Sequence, residues 1–598
     1  MPYDDKDMKD PRAGVETSKL SNTYVAKMFR EIAAAYEIKG ENRFKIRAYD
    51  TVADSVEHAT SEVKDLWEEG RLDELPGIGE TIGQHIDEYF KTGKVKHFEE
   101  IKKGLPPGMF ELMGLEGVGP KTAFRLAKEL KVNNVDELFE ALKAGKISKL
   151  PGFGKRSEDL ILKAVEGRKE GGERILLPVA FSIAEKIIEE LKRLPGVKEA
   201  LPLGSLRRMV ATVGDIDIGV ATDKPKDVVS AFTNLPDVER VLGAGGAKAS
   251  VVLKTGRQID IRVHDPKSFG ALLQYFTGSK QHNIHLRKIA NAKGLSLSEY
   301  GVKKYEGGKI VGEYLPTSTE EEFYKLLGMP MIPPEIREDT GEIEAAQKGT
   351  LPQLVVIEDV KGEIHSHTTH SDGEEPTVEM VQAAVDLKRQ YLGISDHAPS
   401  VETRSVAEAK KEILMRKHEI EKLKQQFKGK IELFFGAEVN IDTKGQMALP
   451  DELLALYEYV IASIHTSFNQ PKEMITKRIL NALENPYVNL IAHPTGRLLG
   501  EREAYEVDWE KVFAAAVGNG KFLEINSYPS RLDLPDDLVK IAKSKGVRFV
   551  INTDSHHRDH FKNLRFGVSV ARRGWCEKKD IANTAPAAEF AKLFKVRR

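Results

Sequence analysis

Two short strand-like segments carry carboxylates at a spacing that could hold divalent cations. GDIDIGV at 214–220 places Asp215 and Asp217 two residues apart, and RQIDIRV at 257–263 supplies Asp260. Residues two apart on a strand share a face, so two such strands side by side would bring three carboxylates together. Divalent cations relieve the repulsion between these charges, and oxygen ligands suit Mg²⁺ or Mn²⁺. Two such ions activate an attacking hydroxyl and stabilise a leaving pyrophosphate.

The segment GSLRR at 204–208 adds groups that bind phosphate. Its Gly-Ser turn offers backbone donors and the hydroxyl of Ser205, and Arg207 and Arg208 can pair with phosphate oxygens. Alternating aspartates also occur on ordinary half-exposed strands. Two matching strands that follow GSLRR favour a phosphate-transfer site over that interpretation.

A second set of residues, rich in histidine, could hold a cluster of metal ions. Each member follows a predicted strand, and the set contains no cysteine, which favours Zn²⁺, Mn²⁺ or Fe²⁺. One such histidine is usually an ordinary surface or core residue, but several at strand ends are hard to explain without metal. Nine ligands are too many for one ion, so we expect two or three, which can make a hydroxide and clamp a phosphodiester. The candidate ligands are His365, His367, Asp372, His397, Glu438, His465, His493, Asp554 and His556.

A third pattern is a repeat, a Leu followed by Gly-hydrophobic-Gly, in LPGIG at 75–79, LEGVG at 115–119 and LPGFG at 150–154. Glycine between two helices lets the backbone approach a phosphate, and the N–H groups of the next helix bind it. One copy is equally well a helix connector, but three copies favour binding of a DNA backbone without reading its sequence. The glycines concerned are Gly77, Gly79, Gly117, Gly119, Gly152 and Gly154.

The elements that must position these residues fall into sections of different character. Residues up to about 170 read as all-helical, and residues from 175 alternate strands and helices. Four prolines and many charges predict a linker or surface strap at 330–352. Beyond it, seven strand candidates alternate with helices, which predicts a parallel sheet, either closed as a barrel or open.

Length and composition limit the class of protein. The chain has 598 residues, so we expect about four domains. Its net charge of −2 excludes a bulk polycation, and the single cysteine, Cys576, excludes an intrachain disulfide. The sequence shows no signal peptide and no apolar run long enough to span a membrane, so we expect a cytoplasmic, nucleoid-associated monomer.

GSLRR, GDIDIGV, RQIDIRV and YFTGS at 275–279 follow one another in an order that resembles the family X DNA polymerases. The resemblance implies that Asp215, Asp217 and Asp260 are the catalytic metal ligands. It implies nucleotide binding by Ser205, Arg208, Tyr275, Phe276, Gly278 and Asn283, with Arg287 on the template side. Tyr275 and Phe276 would otherwise be an ordinary pair of core aromatics.

The helical repeats resemble the helix-hairpin-helix motifs of that family, whose hairpins also hold a monovalent cation. Lys45 and Tyr49 match the region that binds a downstream 5′-phosphate. The eukaryotic repair members carry a Schiff-base lysine in the helix after the first hairpin. Here that position is His85, and a nearby family lysine falls at Thr81, so lyase chemistry is not expected.

The histidine-rich region resembles the PHP (polymerase and histidinol phosphatase) domain, which implies a distorted (β/α)7 barrel with a trinuclear site. Many members have His or Glu where this chain has Asp372. Arg404 and Arg497 could contact substrate phosphates or be surface arginines. His370 and His557 lie beside the ligand motifs and could support them or simply be exposed.

The expected architecture is multidomain: an all-α helix-hairpin-helix region, an α+β nucleotidyltransferase palm with a thumb, and the barrel. Its parts are a DNA-binding domain at 1–98, a helix-hairpin-helix domain at 99–174, a palm at 175–266, a nascent-base-pair segment at 267–335, a linker at 336–352 and a PHP domain at 353–598.

The two halves together resemble bacterial and archaeal family X polymerases with a C-terminal PHP domain. This implies filling of short gaps in gapped or primed DNA from dNTPs during base excision repair. It also implies a metal-dependent 3′→5′ exonuclease, with abasic-site cleavage or 3′-end processing. The alternatives are a phosphoesterase that acts on small phosphate esters and a non-catalytic scaffold for DNA ends.

Overall fold

The computed structural model describes residues 22–57, 63–68, 70–75, 77–115, 118–155, 157–158, 160–162, 165, 174–306, 309–401 and 403–594. These described residues form two compact units. One unit falls within 1–173 and 294–315, and the other within 174–293 and 316–598. No helix of the described ranges is long and apolar enough to cross a membrane.

The first unit is mainly helical, as predicted for the N-terminal region. Its apolar residues recur at helical spacing and form two clusters, one around Phe29, Tyr49 and Phe98 and one around Leu112 and Leu126. Residues 294–315 add a three-stranded antiparallel sheet to this unit. The helices are α1 (Asn22–Lys39), α2 (Arg43–Glu57), α3 (Val63–Glu68), α4 (Glu80–Thr92), α5 (Lys96–Lys102), α6 (Gly108–Leu112), α7 (Pro120–Leu130) and α8 (Val135–Lys143).

The second unit begins with a five-stranded mixed sheet, as counted over the fully described stretch 174–293. Strands lie in the order β2-β4-β7-β6-β5, with β4 and β7 parallel and the other pairs antiparallel. The strands and helices are β1 (Ile175–Leu176), α9 (Leu177–Lys192), β2 (Val197–Pro202), α10 (Gly204–Arg207), β3 (Thr212–Val213), β4 (Ile216–Thr222), α11 (Pro225–Thr233), β5 (Val238–Gly245), β6 (Lys248–Leu253), β7 (Gln258–His264), α12 (Phe269–Thr277) and α13 (Lys280–Ala292).

A segment of mixed structure follows. The small sheet of the first unit is β8 (Leu295–Ser298), β9 (Gly301–Glu306) and β10 (Lys309–Leu315), and the second unit resumes with α14 (Glu320–Leu326) and α15 (Glu342–Lys348). Residues 336–352, for which the sequence predicts a linker, are packed rather than extended. Ile343 and Glu342 are fully buried, and the Glu342 carboxylate lies 2.6 Å from His282 Nδ1 on α13.

The C-terminal part is a barrel of parallel strands in sequential order, seven within the described residues. Beyond the ends of β11 and β17, the Ser366 and Ser555 backbones form a parallel bridge, and the His367 N–H donates to the Ser555 carbonyl at 2.8 Å. This contact nearly closes the sheet, so the predicted distorted (β/α)7 barrel is confirmed. Its strands are β11 (Gly362–Glu363), β12 (Tyr391–Ile394), β13 (Glu432–Asn440), β14 (Tyr459–Ser463), β15 (Val488–Ile491), β16 (Phe522–Asn526) and β17 (Phe549–Asn552).

Helices cover the outside of this barrel, and their apolar faces join one continuous core with the strands. Residues 591–594 pack against the barrel, where Phe594 joins an apolar cluster with Phe434 and Tyr459. The helices are α16 (Thr377–Asp386), α17 (Val406–Gln426), α18 (Asp451–Leu454), α19 (Lys472–Glu484), α20 (Trp509–Asn519), α21 (Asp536–Ser544), α22 (Leu564–Arg573) and α23 (Ala587–Phe590).

Candidate active sites and DNA-contacting hairpins

The structure brings the three palm carboxylates together at two neighbouring interior strands of the five-stranded sheet. Asp217 on β4 is directly opposite Asp260 on the parallel strand β7, and Asp215 lies just before β4. The alternating isoleucines of both strands, such as Ile216 and Ile259, are buried in the core. Their burial fixes the face on which the carboxylates lie, because side chains alternate along a strand.

The three carboxylates repel one another. Burial and the charge of Asp260 raise the pKa of Asp217 to about 7, although Arg262 opposes the shift. The same two causes raise the pKa of Asp215, with Arg174 opposing. A divalent cation between these oxygens would offset the repulsion, so the residues fit the ion that the sequence implies.

The turn that begins α10 packs directly against this site. The Leu203 N–H donates to the Asp217 carbonyl at 2.8 Å, and a side chain on Gly204 would come within 3.4 Å of the Asp217 carboxylate. Gly204 has a φ of 59°, which glycine adopts without strain. Ser205 follows in the first turn of α10.

The two arginines of GSLRR have different environments. Arg207 forms a buried ion pair with Glu320, with Nη2 at 2.5 Å from Oε2. Arg208 pairs with Glu338 at 3.0 Å and donates through Nη1 to the Thr277 carbonyl. Both arginines contact the YFTGS segment, because Arg207 Nη1 also donates to the Thr277 hydroxyl at 2.6 Å. The buried pair with Glu320 gives Arg207 a role in packing that the sequence did not reveal.

The YFTGS segment ends α12 and leads into α13. Tyr275 and Phe276 pack edge to face with ring centroids 5.0 Å apart. Asn283 donates to the Tyr275 carbonyl at 2.8 Å, and the Arg287 guanidinium lies 5.7 Å from the Tyr275 ring. Gly278 has a φ of 69°, and a side chain there would come within 3.2 Å of Arg208 Nη1. Tyr275, Phe276 and Asn283 thus lie together, and Gly278 lies against Arg208 of the GSLRR turn.

The histidine-rich cluster is centred on the buried carboxylate of Glu438. One of its oxygens lies 3.1 Å from His465 Nε2 and 3.0 Å from His493 Nε2. The other lies 3.1 Å from His397 Nδ1 and 3.5 Å from His365 Nε2. Five of the nine predicted ligands thus converge across several strands of the barrel.

The remaining ligands join the same cluster. Asp554 lies 3.3 Å from His367 Nε2, and Asp372 lies 3.3 Å from both His397 Nε2 and His556 Nε2. Three overlapping groups have ligand atoms close enough to share an ion. The groups are His365, His367 and Asp554; His367, Asp372 and His397; and His397, Glu438 and His465.

Two observations indicate that this cluster suits bound cations. The Nε2 atoms of His365 and His367 are buried and lack a hydrogen-bond partner, although buried polar atoms are normally satisfied. His493 and Asp554 also have positive φ values of 29° and 52°, a strained backbone that often marks functional positions. The donor set of imidazole and carboxylate is the one expected for Zn²⁺, Mn²⁺ or Fe²⁺.

The sequence analysis missed two residues beside this cluster. Glu524 is fully buried, and its carboxylate lies 2.7 Å from His365 Nδ1. Arg531 places Nε 3.5 Å from Asp554 and adds a positive charge at the site. A charged residue inside the apolar strand KFLEINS was a signal for Glu524, but nothing in the local sequence marked Arg531.

Four other residues noted in the sequence lie outside the cluster. His370 pairs with Glu419 at 2.8 Å, and His557 lies 3.4 Å from Glu375. Arg404 pairs with Glu412 on the surface. Arg497 donates to the backbone carbonyls of residues 531 and 532, so both arginines already have protein partners.

The hairpins of the first unit share one geometry. The N–H of the residue between the two glycines donates to the preceding Leu carbonyl in each copy, at 3.2 Å for Ile78, 3.1 Å for Val118 and 3.0 Å for Phe153. Gly79 and Gly119 then precede α4 and α7, whose first N–H groups point away from the helix and can bind phosphate.

The other hairpin glycines are placed as follows. Gly77 and Gly152 have φ values of 86° and 81°. Gly154 begins a helical turn, in which the Gly154 carbonyl accepts a hydrogen bond from the Glu158 N–H at 3.1 Å. Gly117 lies outside the described residues.

The region predicted to bind a 5′-phosphate contains an aromatic cluster. Tyr49 is buried, and its hydroxyl lies 3.2 Å from His85 Nδ1. The His85 and His97 rings stack with centroids 5.4 Å apart, and burial and the charge of His97 lower the pKa of His85. Lys45 Nζ lies 4.1 Å from the Tyr36 ring centre. At the position of the family's Schiff-base lysine, the structure therefore has His85, which contacts Tyr49 and His97.

Comparison with known proteins decides the family. The chain is 37% identical to the DNA polymerase/3′-5′ exonuclease PolX of Bacillus subtilis over 564 residues, 94% of this chain and 96% of that protein. The chain belongs to the family X DNA polymerases that carry a C-terminal PHP domain. Family models match in the expected order: a helix-hairpin-helix domain at 21–95, a SAM-like helix-hairpin-helix tandem at 110–166, a DNA polymerase beta thumb at 272–338 and a PHP domain at 363–528.

More distant relatives match smaller shares of this family X polymerase. Rat DNA polymerase lambda is 24% identical over 349 residues, 53% of this chain and 56% of that protein. A probable phosphatase of Thermoanaerobacter sp. (strain X514) is 32% identical over 203 residues, 32% of this chain and 77% of that protein. The resemblance drawn from the sequence motifs is confirmed.

Proposed function

We propose that this family X polymerase fills short gaps in DNA by template-directed nucleotide addition and processes 3′ ends with its PHP domain. The observation that carries the proposal is the presence of two separate ligand sets in one chain. The first is the pair Asp217 and Asp260 with Asp215, and the second is the cluster around Glu438. The palm set offers carboxylate oxygens, which suit Mg²⁺ or Mn²⁺. The set around Glu438 offers imidazole nitrogens and carboxylate oxygens, which suit Zn²⁺, Mn²⁺ or Fe²⁺.

In the palm, Asp215, Asp217 and Asp260 would hold Mg²⁺ or Mn²⁺. These ions supply activation of the primer hydroxyl and stabilisation of the departing pyrophosphate. Ser205 and Arg208 bind the triphosphate oxygens beside the carboxylates. Their positions are fixed by the Leu203 hydrogen bond to Asp217 and by the YFTGS segment.

The nucleotide sugar and base bind along α12 and α13. Tyr275 and Phe276 lie beside the sugar, and the Tyr275 ring discriminates against a 2′-hydroxyl. Asn283 contacts the incoming base, and Arg287 contacts the template. Asn283 is held by hydrogen bonds with Gln274 and the Tyr275 backbone, both at 2.8 Å, which keeps it oriented before the nucleotide arrives.

The first unit binds the DNA backbone on both sides of a gap. The glycines of the hairpins allow close approach, the helix N-termini bind phosphates, and carbonyls around these loops hold a monovalent cation. Lys45 and Tyr49 lie near the downstream 5′-phosphate. These contacts are independent of base sequence, as gap filling requires.

In the PHP domain, the nine clustered residues would hold two or three Zn²⁺, Mn²⁺ or Fe²⁺ ions. Such ions supply a hydroxide and clamp the phosphodiester of a 3′ terminus or an abasic site. Glu524 orients His365, and Arg531 adds a positive charge near the scissile phosphate. The reaction is 3′→5′ exonucleolytic cleavage and removal of blocked 3′ ends, carried out by a monomer.

Hydrolysis of small phosphate esters is the second candidate, because proteins named as probable phosphatases match about a third of the chain. The hairpins and the palm favour DNA as the substrate. Turnover of a phosphate monoester compared with a recessed DNA end separates the two candidates. A scaffold without activity would bind DNA with a steep salt dependence but incorporate no dNTP.

The deciding experiment separates the two sites by substitution. Asp260→Ala is expected to abolish nucleotide addition on a gapped duplex and to leave exonuclease activity unchanged. His365→Ala or His493→Ala is expected to do the reverse. If a palm substitution removed both activities while the protein stayed folded, the assignment of one activity to each site would be wrong.

A further inference from the structure

One arginine of the PHP domain, Arg573, contacts the GSLRR turn of the palm directly. Arg573, at the end of α22, donates through Nη1 to the Arg208 carbonyl at 2.9 Å and to the Glu338 carboxylate at 3.0 Å. Its side chain is only 8% exposed. Asp536, at the start of α21, holds the other side of the guanidinium at 2.8 Å. Arg573 is therefore fixed from both sides.

The same carboxylate oxygen of Glu338 is shared by two arginines. Arg208 Nε lies 3.0 Å from Glu338 Oε1, and Arg573 Nη1 lies 3.0 Å from that atom. Arg208 is 14% exposed and Glu338 28% exposed, so both charges are largely shielded from water. In this environment Glu338 competes with a phosphate for Arg208, and the strength of that competition depends on what else neutralises Glu338.

From this arrangement we propose that Arg573 is a positioning residue for nucleotide addition, which holds the Arg208 backbone in place and neutralises Glu338 so that Arg208 can bind the triphosphate. The inference rests on the proposed role of Arg208 and adds to it a contribution from the PHP domain. When Arg208 turns to phosphate, Arg573 remains as the partner of Glu338. No partly buried carboxylate is then left without a cation.

Loss of Arg573 has a defined consequence. Glu338 then has Arg208 as its main cationic partner, so the pair tightens and binding of dNTP must break it. Arg573→Ala should raise KM for dNTP about tenfold, the size of one charge-assisted hydrogen bond, with little change in kcat. Arg573→Lys keeps the positive charge but loses the planar set of guanidinium donors, so its KM for dNTP should lie between those of the wild type and Arg573→Ala.

A double substitution distinguishes this role from a merely structural one. In Arg573→Ala/Glu338→Ala the competing carboxylate is gone, so KM should return towards the wild-type value. If Arg573 only supported packing, removal of Glu338 would lower activity further. An unchanged KM in Arg573→Ala, or no recovery in the double variant, would overturn the proposal.

The chain offers a matched control on the same helix. Arg565 forms a two-point ion pair with Glu185 on α9, at 2.9 and 3.1 Å, and also joins the PHP domain to the palm. Arg565→Ala removes an equivalent bond without touching Arg208, so KM for dNTP should not change. Thermal unfolding of each variant verifies the fold.

Arg208→Ala tests the underlying assignment separately. If that substitution left KM for dNTP unchanged, the proposed role of Arg208 would fail, whatever Arg573 does. If Arg208→Ala raised KM and Arg573→Ala did not, only the inference about the PHP domain would fail.

Discussion

The Nδ1 atom of His365 lies 2.7 Å from the carboxylate of Glu524, which is fully buried in the middle of β16. The same carboxylate accepts the His493 N–H at 2.7 Å and the Asn552 amide at 2.9 Å. A carboxylate on one ring nitrogen fixes the tautomer and directs the other nitrogen, here the buried Nε2, towards a metal. Glu524 thus acts on the cluster through His365 and does not belong to the ligand set itself.

We predict that Glu524→Gln weakens metal binding by the PHP domain about 10- to 100-fold. The neutral amide accepts a weaker hydrogen bond from His365 Nδ1 than the carboxylate does, so it no longer fixes the orientation of the His365 ring. Titration of the metal-free protein with Mn²⁺ or Zn²⁺ measures the change. Glu419→Gln, which breaks the His370 pair outside the cluster, serves as the control. Equal metal affinity in the wild type and Glu524→Gln would contradict the orienting role.

A second prediction concerns acid stability. Burial alone would raise the pKa of Glu320, but the charges of Arg337 and Arg207 outweigh burial and lower it to about 2. A carboxyl whose pKa is lower in the folded state stabilises that state above the unfolded pKa of about 4.5, and the contribution is lost as the pH falls towards 2. The contribution at neutral pH is about 3 kcal/mol.

The difference in unfolding free energy between the wild type and Glu320→Gln should therefore be constant above about pH 5 and shrink steadily towards pH 2. Urea titrations at several pH values measure it. Glu190→Gln breaks a surface pair with Arg193 and should change stability by less than about 0.5 kcal/mol at every pH. A Glu320→Gln difference independent of pH would refute the low pKa.

The sequence predicted those parts of the sites that depend on local pattern. Alternation around Ile216 and Ile259 placed Asp217 and Asp260 on one face, because a strand has a period of two. The cluster of candidate ligands was predictable because most of them follow a strand and parallel strands end at the same rim, although Glu438 itself lies within β13.

Contacts between distant segments were not predictable. Glu338 lies 130 residues from Arg208, and Arg573 lies a further 235 residues along the chain. No local pattern marks such partners, because pairing depends on how the domains pack. The prolines at 330–352 predicted a linker or surface strap, but not that Ile343 is buried in the second unit, because this burial depends on tertiary packing and not on local composition.

A third prediction tests the first hairpin. Gly77 has a φ of 86°, and an added side chain would come within 3.2 Å of Thr51 and 3.3 Å of Val52. Gly77→Ala should therefore distort the turn at a cost of about 1–2 kcal/mol and weaken DNA binding about five- to tenfold, equally for all sequences. Fluorescence anisotropy with several gapped duplexes measures this.

Gly40→Ala is the matched control for that change. Gly40 also has a positive φ of 76°, but no atom of the described residues lies within 4 Å of an added side chain, and Gly40 is outside the hairpins. Gly40→Ala therefore introduces backbone strain without a steric clash, and it should leave DNA affinity unchanged. Equal losses of affinity in both variants would show that general strain, and not the hairpin, is responsible.

The last prediction concerns the lyase reaction of the eukaryotic relatives. A Schiff base needs a primary amine, and the corresponding position is His85, whose ring stacks on His97. Borohydride treatment with DNA that carries a 5′-deoxyribose phosphate should therefore trap no covalent adduct. Lys45, 3.8 Å from Glu41, should instead contribute to binding of the 5′-phosphate.

Lys45→Ala is expected to remove the gain in affinity that a 5′-phosphate gives on gapped DNA and to lower the salt slope of binding by about 1. Lys96→Ala, an exposed lysine on α5, makes the same change of charge and should keep that gain. A trapped adduct that disappeared in Lys45→Ala would contradict the prediction. Lys45 would then act as the nucleophile in place of the missing lysine, because no imidazole can form the imine.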